Sequence, residues 1–360
     1  MSKSNVAYAN DHVFTGNLYI FHAFDIGEEI NLDKIRESRV LSERPLKLPN
    51  YFKNYHIPLS VDLPGSVGQF HCINVKIYNF GVVSLMYKVP FESTLEALRE
   101  KLNDIDDRCQ KQSLVDVETL FKHIKAHTTK INFFQTQSTY LIIQVDTTDT
   151  SIDTTILKER YGSVIASALR FETEMLSEYQ KNEIIESATG YFRGDFIIID
   201  TEAAFIYDAE FDEVRDLFEY ANIQHLELRY FDRVLDHQMN LIYEDALHKI
   251  PLRSYLPFIG TLSSNQVDEL GKLKVDISVV AERLENGIKL GGNPYFAELY
   301  ALLDDRLDLT NWKVTIEKKL AIVTDIRSVL QHKIDSIRED LLTSLIIVLI
   351  VIELIVAIMH

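Results

Sequence analysis

His237, Glu244 and His248 are spaced by seven and then four residues, with Asp236 beside the first of them. On a helix those spacings bring all three to one face. Two imidazoles and a carboxylate so arranged can hold a divalent cation. The same spacing also makes an ordinary solvated face in which Glu244 pairs with His248 one turn on. The expectation drawn from these residues is therefore a surface with no metal. Asp232 and Asp236 are expected to pair with Arg229 and Arg233 on the same helix.

Glu353 is the second group with chemical potential. It sits inside Leu341–Met359, LLTSLIIVLIVIELIVAIM, where the other polar residues are Thr343 and Ser344. A carboxyl in hydrocarbon costs about 3 kcal/mol on insertion scales. Two arrangements relieve that cost. The group reaches the far interface, protonated or hydrated, or it hydrogen-bonds to another copy of the helix and joins protomers.

No phosphate-binding fingerprint accompanies these residues. Gly65-Ser66-Val67-Gly68 and Gly190-Tyr191-Phe192-Arg193-Gly194 lack both the GxGxxG spacing and the lysine of a phosphate loop, and neither HExxH nor GxSxG occurs. No cofactor is expected. Cys72 and Cys109 are the only cysteines, too far apart for CxxC chemistry, and they fit a reducing compartment. A net charge of −17 disfavours nucleic acid as a partner, because phosphates demand a basic surface.

The elements that carry these groups follow from the hydrophobic pattern. An aliphatic run as long as Leu341–Met359 makes a helix of about 28 Å, close to the ~30 Å hydrocarbon core of a bilayer. It reads as a tail anchor, with the central helix of a soluble core as the competing reading. Residues 313–338 hold six basic and three acidic residues. That basic flank places the bulk of the chain in the cytoplasm, as a single-pass protein of the inner (cytoplasmic) membrane.

Ahead of the anchor, Leu302, Leu309, Ile316, Val323, Leu330 and Ile337 recur every seven residues, the pattern of a coiled-coil stalk. Its weakest helical point is Thr310-Asn311. Arg306, Lys313 and Arg327 fall in the companion column and would repel their copies in a plain two-stranded zipper. The upper stalk is therefore expected to pack on a helix over 265–289 of the same chain.

Upstream the fold class is α+β. Strands are expected over 18–26, 70–78, 82–89, 133–146, 191–199 and 203–207. Helices are expected over 31–39, from a capping box at Ser93 to about residue 110, and over 114–127, 153–179 and 209–249. Each half then reads strand, helix, hairpin, helix, a duplication over 18–128 and 133–250. The domains are a head at 1–207, a helical bundle or coiled-coil stalk at 208–339, and a transmembrane helix at 341–359.

The stretch Arg338–Val356, REDLLTSLIIVLIVIELIV, resembles the C-terminal signature of the "required for meiotic nuclear division"/YagE family. There a charged helix meets an isoleucine-rich span with an embedded glutamate, here Glu353. Tyr220–Asp236, YANIQHLELRYFDRVLD, is compatible with the same family, and so is the order of domains. Ser344 stands where that family carries a tryptophan. The resemblance implies an oligomeric inner-membrane scaffold.

Two functions compete at this point. The first is a non-enzymatic, membrane-anchored, homo-oligomeric scaffold or adaptor whose cytosolic head binds a protein partner. The second is a membrane-tethered enzyme or ligand sensor, with its site in the head or around His237, Glu244 and His248. A pocket with convergent polar groups in the head would favour the second.

Overall fold

The computed structural model describes residues 12–46, 57–65, 68–131, 137–148, 151–247, 271, 272, 274, 275, 277, 278 and 294–359. Side chains of 242–247 and of several residues between 327 and 338 are not described, Leu330 and Ile337 among them. His248, residues 291–293 and most of the helix expected over 265–289 lie outside the described residues.

The strands are β1 (Phe14–Asp25), β2 (Glu29–Ile30), β3 (Leu59–Val61), β4 (His71–Ile77), β5 (Val82–Ser93), β6 (Thr128–Thr129), β7 (Gln137–Val145), β8 (Phe196–Ile199) and β9 (Ala203–Tyr207). Seven of them form one sheet in the order β3-β4-β5-β1-β7-β9-β8, and β2 pairs with β6 apart from it. Every pairing is antiparallel except β7 with β9. At one edge β3 is bridged by Glu43 and at the other β8 is bridged by Thr189. Each bridge occupies one position of its edge strand.

Alternation sends side chains to two faces. Leu18, Ile20 and Phe24 of β1 join Val83, Leu85 and Tyr87 of β5 and Leu141, Ile143 and Val145 of β7 in one core. The helix α2 (Leu95–Ile124) supplies Leu98, Leu102, Cys109, Val117 and Leu120 to it. The opposite face, with Tyr19, Ser84 and Ser138, is covered by the start of α6 (Phe211–Leu247).

The two halves order their elements alike only in part. The first runs β1, β2, α1 (Leu32–Ser38), β3, β4–β5 and α2; the second runs β7, three helices, β8–β9 and α6. Polarity distinguishes them, since β5 runs antiparallel to β1 whereas β9 runs parallel to β7. The closing helices also lie on opposite faces.

Local chemistry explains where the elements depart from expectation. The two helices expected over 93–127 are one, because nothing between Gln110 and Leu114 breaks it; Ser113 Oγ donates to the Gln110 carbonyl at 2.7 Å. Its cap is Thr94, one residue after Ser93, with Thr94 Oγ1 accepting from the Ala97 N–H at 3.2 Å. The single helix expected over 153–179 is instead α3 (Thr154–Arg160), α4 (Gly162–Leu169) and α5 (Glu178–Glu186). Phe171, with φ 55°, follows the end of α4, and Ser177 caps α5 afresh. Gly81 turns β4 into β5 at φ 99°. A Cβ there would lie 1.6 Å from the Gly27 carbonyl oxygen, so only glycine fits.

After the described part of the 271–278 stretch come α7 (Pro294–Arg306) and α8 (Leu309–Met359). The break between them is at Leu307–Asp308, where Asp308 takes φ 58°. Thr310-Asn311 lies inside the first turn of α8. The heptad residues Leu309, Ile316 and Val323 are all buried.

The chain divides into two compact units. One comprises the described residues of Met1–Glu227 and Arg283–Thr310, the other those of Leu228–Glu282 and Asn311–His360. The head expected at 1–207 thus takes in the first half of α6 and all of α7. Tyr191 and Tyr295 rings meet at 5.0 Å, and Tyr300 Oη donates to Gln224 Oε1 at 2.5 Å. Within the second unit Lys319 bonds both Asp232, at 2.5 Å, and Asp236, at 2.6 Å.

Candidate functional site

The metal constellation read from the sequence is not assembled among the described residues. His237 is exposed, Asp236 is paired to Lys319, the Glu244 side chain is not described and His248 lies outside the described residues. The pairing of Asp232 and Asp236 with Arg229 and Arg233 gives way to Lys319, which reaches both carboxylates from α8. Lys319 holds its proton more firmly than an ordinary lysine. Partial burial works against that, but the bonds to Asp232 and Asp236 outweigh it. Glu353 is exposed on α8, as is the apolar surface around it.

The structure places its polar chemistry between the sheet and α6. Lys76 alternates outward from a strand whose Val75 and Ile77 enter the core. Its ammonium, almost completely buried, donates to Asp216 Oδ1 at 3.0 Å and to Glu219 Oε2 at 2.7 Å. Ser84, opposite Lys76 on β5, donates to Glu219 Oε1 at 2.6 Å. Burial alone would lower the Lys76 pKa, but the charges of Glu219 and Asp216 prevail and raise it. A lysine held protonated in this way is not a general base.

A cleft of about 270 Å³ opens beside this network. Arg44, Lys76 and Arg215 line it with Ser60, Asn74 and Asp216. Pro45, Leu46, Ile73 and Met86 add apolar wall. A β-bulge builds part of it. The register of β4 against β5 slips between Cys72 and Asn74, so Cys72 points into the core while Asn74 faces the α6 side. Ser60 Oγ donates to Asn74 Oδ1 at 2.8 Å. Arg44 donates to the Ile73 carbonyl at 2.5 Å and pairs with Asp62. Arg215 bonds Asp212 at 2.6 Å, and its guanidinium lies 5.5 Å from the ring centroids of both Tyr19 and Phe211.

Along α6 the polar contacts continue. Ser138 Oγ donates to Asn222 Oδ1 at 2.8 Å. Asp25, at the end of β1, and Glu227 are both buried. Asp25 Oδ1 accepts from the Gly27 N–H at 3.2 Å, and its Oδ2 has no hydrogen-bond partner among the described residues. Burial, outweighing the Gly27 hydrogen bond and reinforced by Glu28, pushes the Asp25 carboxyl up to about 7. Glu227 is raised for the same first reason, and then by the charge of Asp25. On the other face His22 is held neutral by burial, its pKa lowered to about 3, with Thr139 Oγ1 3.0 Å from its Nδ1.

None of the cleft residues was singled out by sequence reasoning. The available signals were a lysine next to the end of an otherwise strand-like HCINVKI, and the carboxylates Asp216 and Glu219 three residues apart on the apolar side of a helix.

A family model described as "Uncharacterized protein MJ0711, N-terminal domain" matches residues 15–213, from β1 into the first turn of α6 and more than half of the chain. The chain belongs to the MJ0711 N-terminal domain family. Among curated proteins, Uncharacterized protein MJ0711 of Methanocaldococcus jannaschii is 26% identical over 245 residues, 67% of this chain and 72% of that protein. No solved structure matches. Membership of the MJ0711 family overturns the resemblance to the meiotic nuclear division/YagE family. That resemblance rested on the aliphatic close, which any helical anchor can imitate, whereas the MJ0711 match falls on the α+β domain. The cleft's Arg44, Ser60, Asn74 and Lys76 lie inside the matched stretch; Arg215 and Asp216 lie just past it.

Proposed function

We propose that this member of the MJ0711 family is a single-pass, membrane-anchored adaptor. Its α+β head works on the cytoplasmic side and docks a protein partner, and its copies associate through the anchor. One observation carries the reading. Glu339–Ile358 at the end of α8 is long and apolar enough to cross a membrane, and none of it is buried. Water is a poor solvent for that surface, and a bilayer covers it without any further fold. The basic residues Lys313, Lys318, Lys319, Arg327, Lys333 and Arg338 precede the span, which supports a cytoplasmic head. Cys72 and Cys109 are buried thiols, and burial, with Asp116 nearby, pushes Cys72 up to about 12. Such inert thiols suit a reducing compartment.

A carboxyl at Glu353 is satisfied most simply by its counterpart on a second copy. The test uses the full-length chain in membranes. It is expected to remain in the pellet through alkaline carbonate extraction, and crosslinking is expected to give oligomers that Glu353→Gln keeps and Glu353→Leu loses. Release of the full chain by carbonate sinks the anchor. Identical oligomers for Glu353→Leu and wild type sink association through Glu353.

A further inference from the structure

We infer that the cleft between β3, β4 and α6 binds a small soluble ligand through an oxyanion, a carboxylate or a phosphate group. The inference is independent of the anchor and of any protein partner. It rests on the balance of donors and acceptors.

Guanidinium carries five N–H donors and ammonium three, and neither accepts. Among the described residues the side-chain contacts of Arg44 are the Ile73 carbonyl and Asp62, those of Lys76 are Asp216 and Glu219, and the hydrogen bond of Arg215 goes to Asp212. Each cation therefore has at least one donor beyond these contacts. Asn74 adds two more. Its Oδ1 is occupied by Ser60, which leaves its N–H groups as the available end of the amide, on a residue that shares the α6 side of β4 with Lys76 by alternation. Among the described residues that line the cleft, Asp216 is the one acid beside three bases. Of the other carboxylates, Glu219 is buried behind Lys76, and Asp62 and Asp212 do not line the cleft.

An oxyanion matches such a surface, and planar guanidinium suits carboxylate and phosphate geometry in particular. Pro45, Leu46, Ile73 and Met86 provide for a short apolar part of the ligand. The volume of about 270 Å³ is near the lower end of small-molecule sites, too small for a folded partner.

The experiment titrates full-length protein in phosphatidylcholine nanodiscs with inorganic phosphate and with succinate, following heat and melting temperature. At least one probe is expected to saturate. Arg44→Gln, at the half-exposed rim, and Asn74→Asp are each expected to weaken it at least tenfold while leaving the ligand-free melting temperature within a few degrees. Arg36→Gln, on α1 and outside the cleft, is expected to bind as wild type. If neither probe saturates, or if both cleft variants bind as well as wild type, the inference is overturned. A parallel titration in nanodiscs containing phosphatidic acid separates the sources. Unchanged affinity supports a soluble ligand, and tenfold competition by the lipid would overturn that assignment.

Discussion

On β5, Val83, Leu85 and Tyr87 turn toward α2, while Val82, Ser84 and Met86 turn toward α6. The α2 side is an aliphatic core whose histidine, His22, is held neutral. The buried carboxylate of α2, Asp116, is answered by Tyr87 Oη at 2.7 Å and by Gln112 at 3.3 Å. The α6 side keeps its charges. Lys76, Asp216 and Glu219 form one ionic cluster, and Asp25 and Glu227 form a pair of raised carboxyls. An apolar face stabilises by area, without direction. A charged buried face costs desolvation and returns little net stability, but it tolerates few alternative arrangements. The side with the ionic cluster is also the side with the cleft.

The largest effect is expected from breaking the ionic cluster on one side only. Lys76→Met leaves Glu219 and Asp216 buried without their cation, and should lower stability by about 3–5 kcal/mol in denaturant titration. Adding Glu219→Gln and Asp216→Asn removes the stranded charges and should restore most of the loss. A triple variant no more stable than Lys76→Met would mean that the cluster supports the fold as an attraction, not as a constraint.

On the α2 side the expected cost is smaller and of another kind. Leu102 is fully buried among the strands, and Leu102→Ala should cost about 2–4 kcal/mol from lost transfer energy and the residual cavity. No second substitution of polar groups should repair it. A loss below about 1 kcal/mol would show that this core collapses into the gap, and the contrast between the faces would shrink.

The two faces were unequally legible in the sequence. Alternation in LYIFHAF and VVSLMY marked the strands, and the 3.6-residue period marked α2 and α6, because burial against one partner leaves a periodic trace. The apolar helix Glu339–Ile358 was legible because its sequence is apolar on every side, not on one. The cleft was not. Its cations come from a segment before β3, from β4 and from α6, so their meeting depends on long-range pairing that no local window contains. The bulge that sends Cys72 into the core with Val75 left no mark in HCINVKI beyond an ordinary strand pattern. Lys319 was missed as the partner of Asp232 and Asp236 because nearby arginines at helical spacing offered a local solution. The partner found lies 87 residues from Asp232 in sequence.

The smallest effect, taken per pH unit, belongs to Asp25, and it is a slope. Its carboxyl is raised from 3.8 to about 7, first by burial. Between those values the folded chain keeps a proton that the unfolded chain has released, so the contribution to stability is full below about pH 4 and is lost as pH rises to about 7. One such group changes stability by at most about 1.4 kcal/mol per pH unit. Above pH 7 its contribution no longer changes. Asp25→Asn has no proton to lose, so wild type and variant should diverge steadily from pH 4 to pH 7, with the variant relatively more stable at the upper end. Glu227 belongs to the same titration, because the two carboxyls repel each other when both are charged. Glu227→Gln should therefore shift the Asp25 part of the slope to lower pH and leave part of it in place. Melting temperatures of the three proteins across pH 4–8 check both points. Parallel curves for wild type and Asp25→Asn would show that the carboxyl is already ionised in the folded chain, and the α6 face would then hold that charge without a compensating proton.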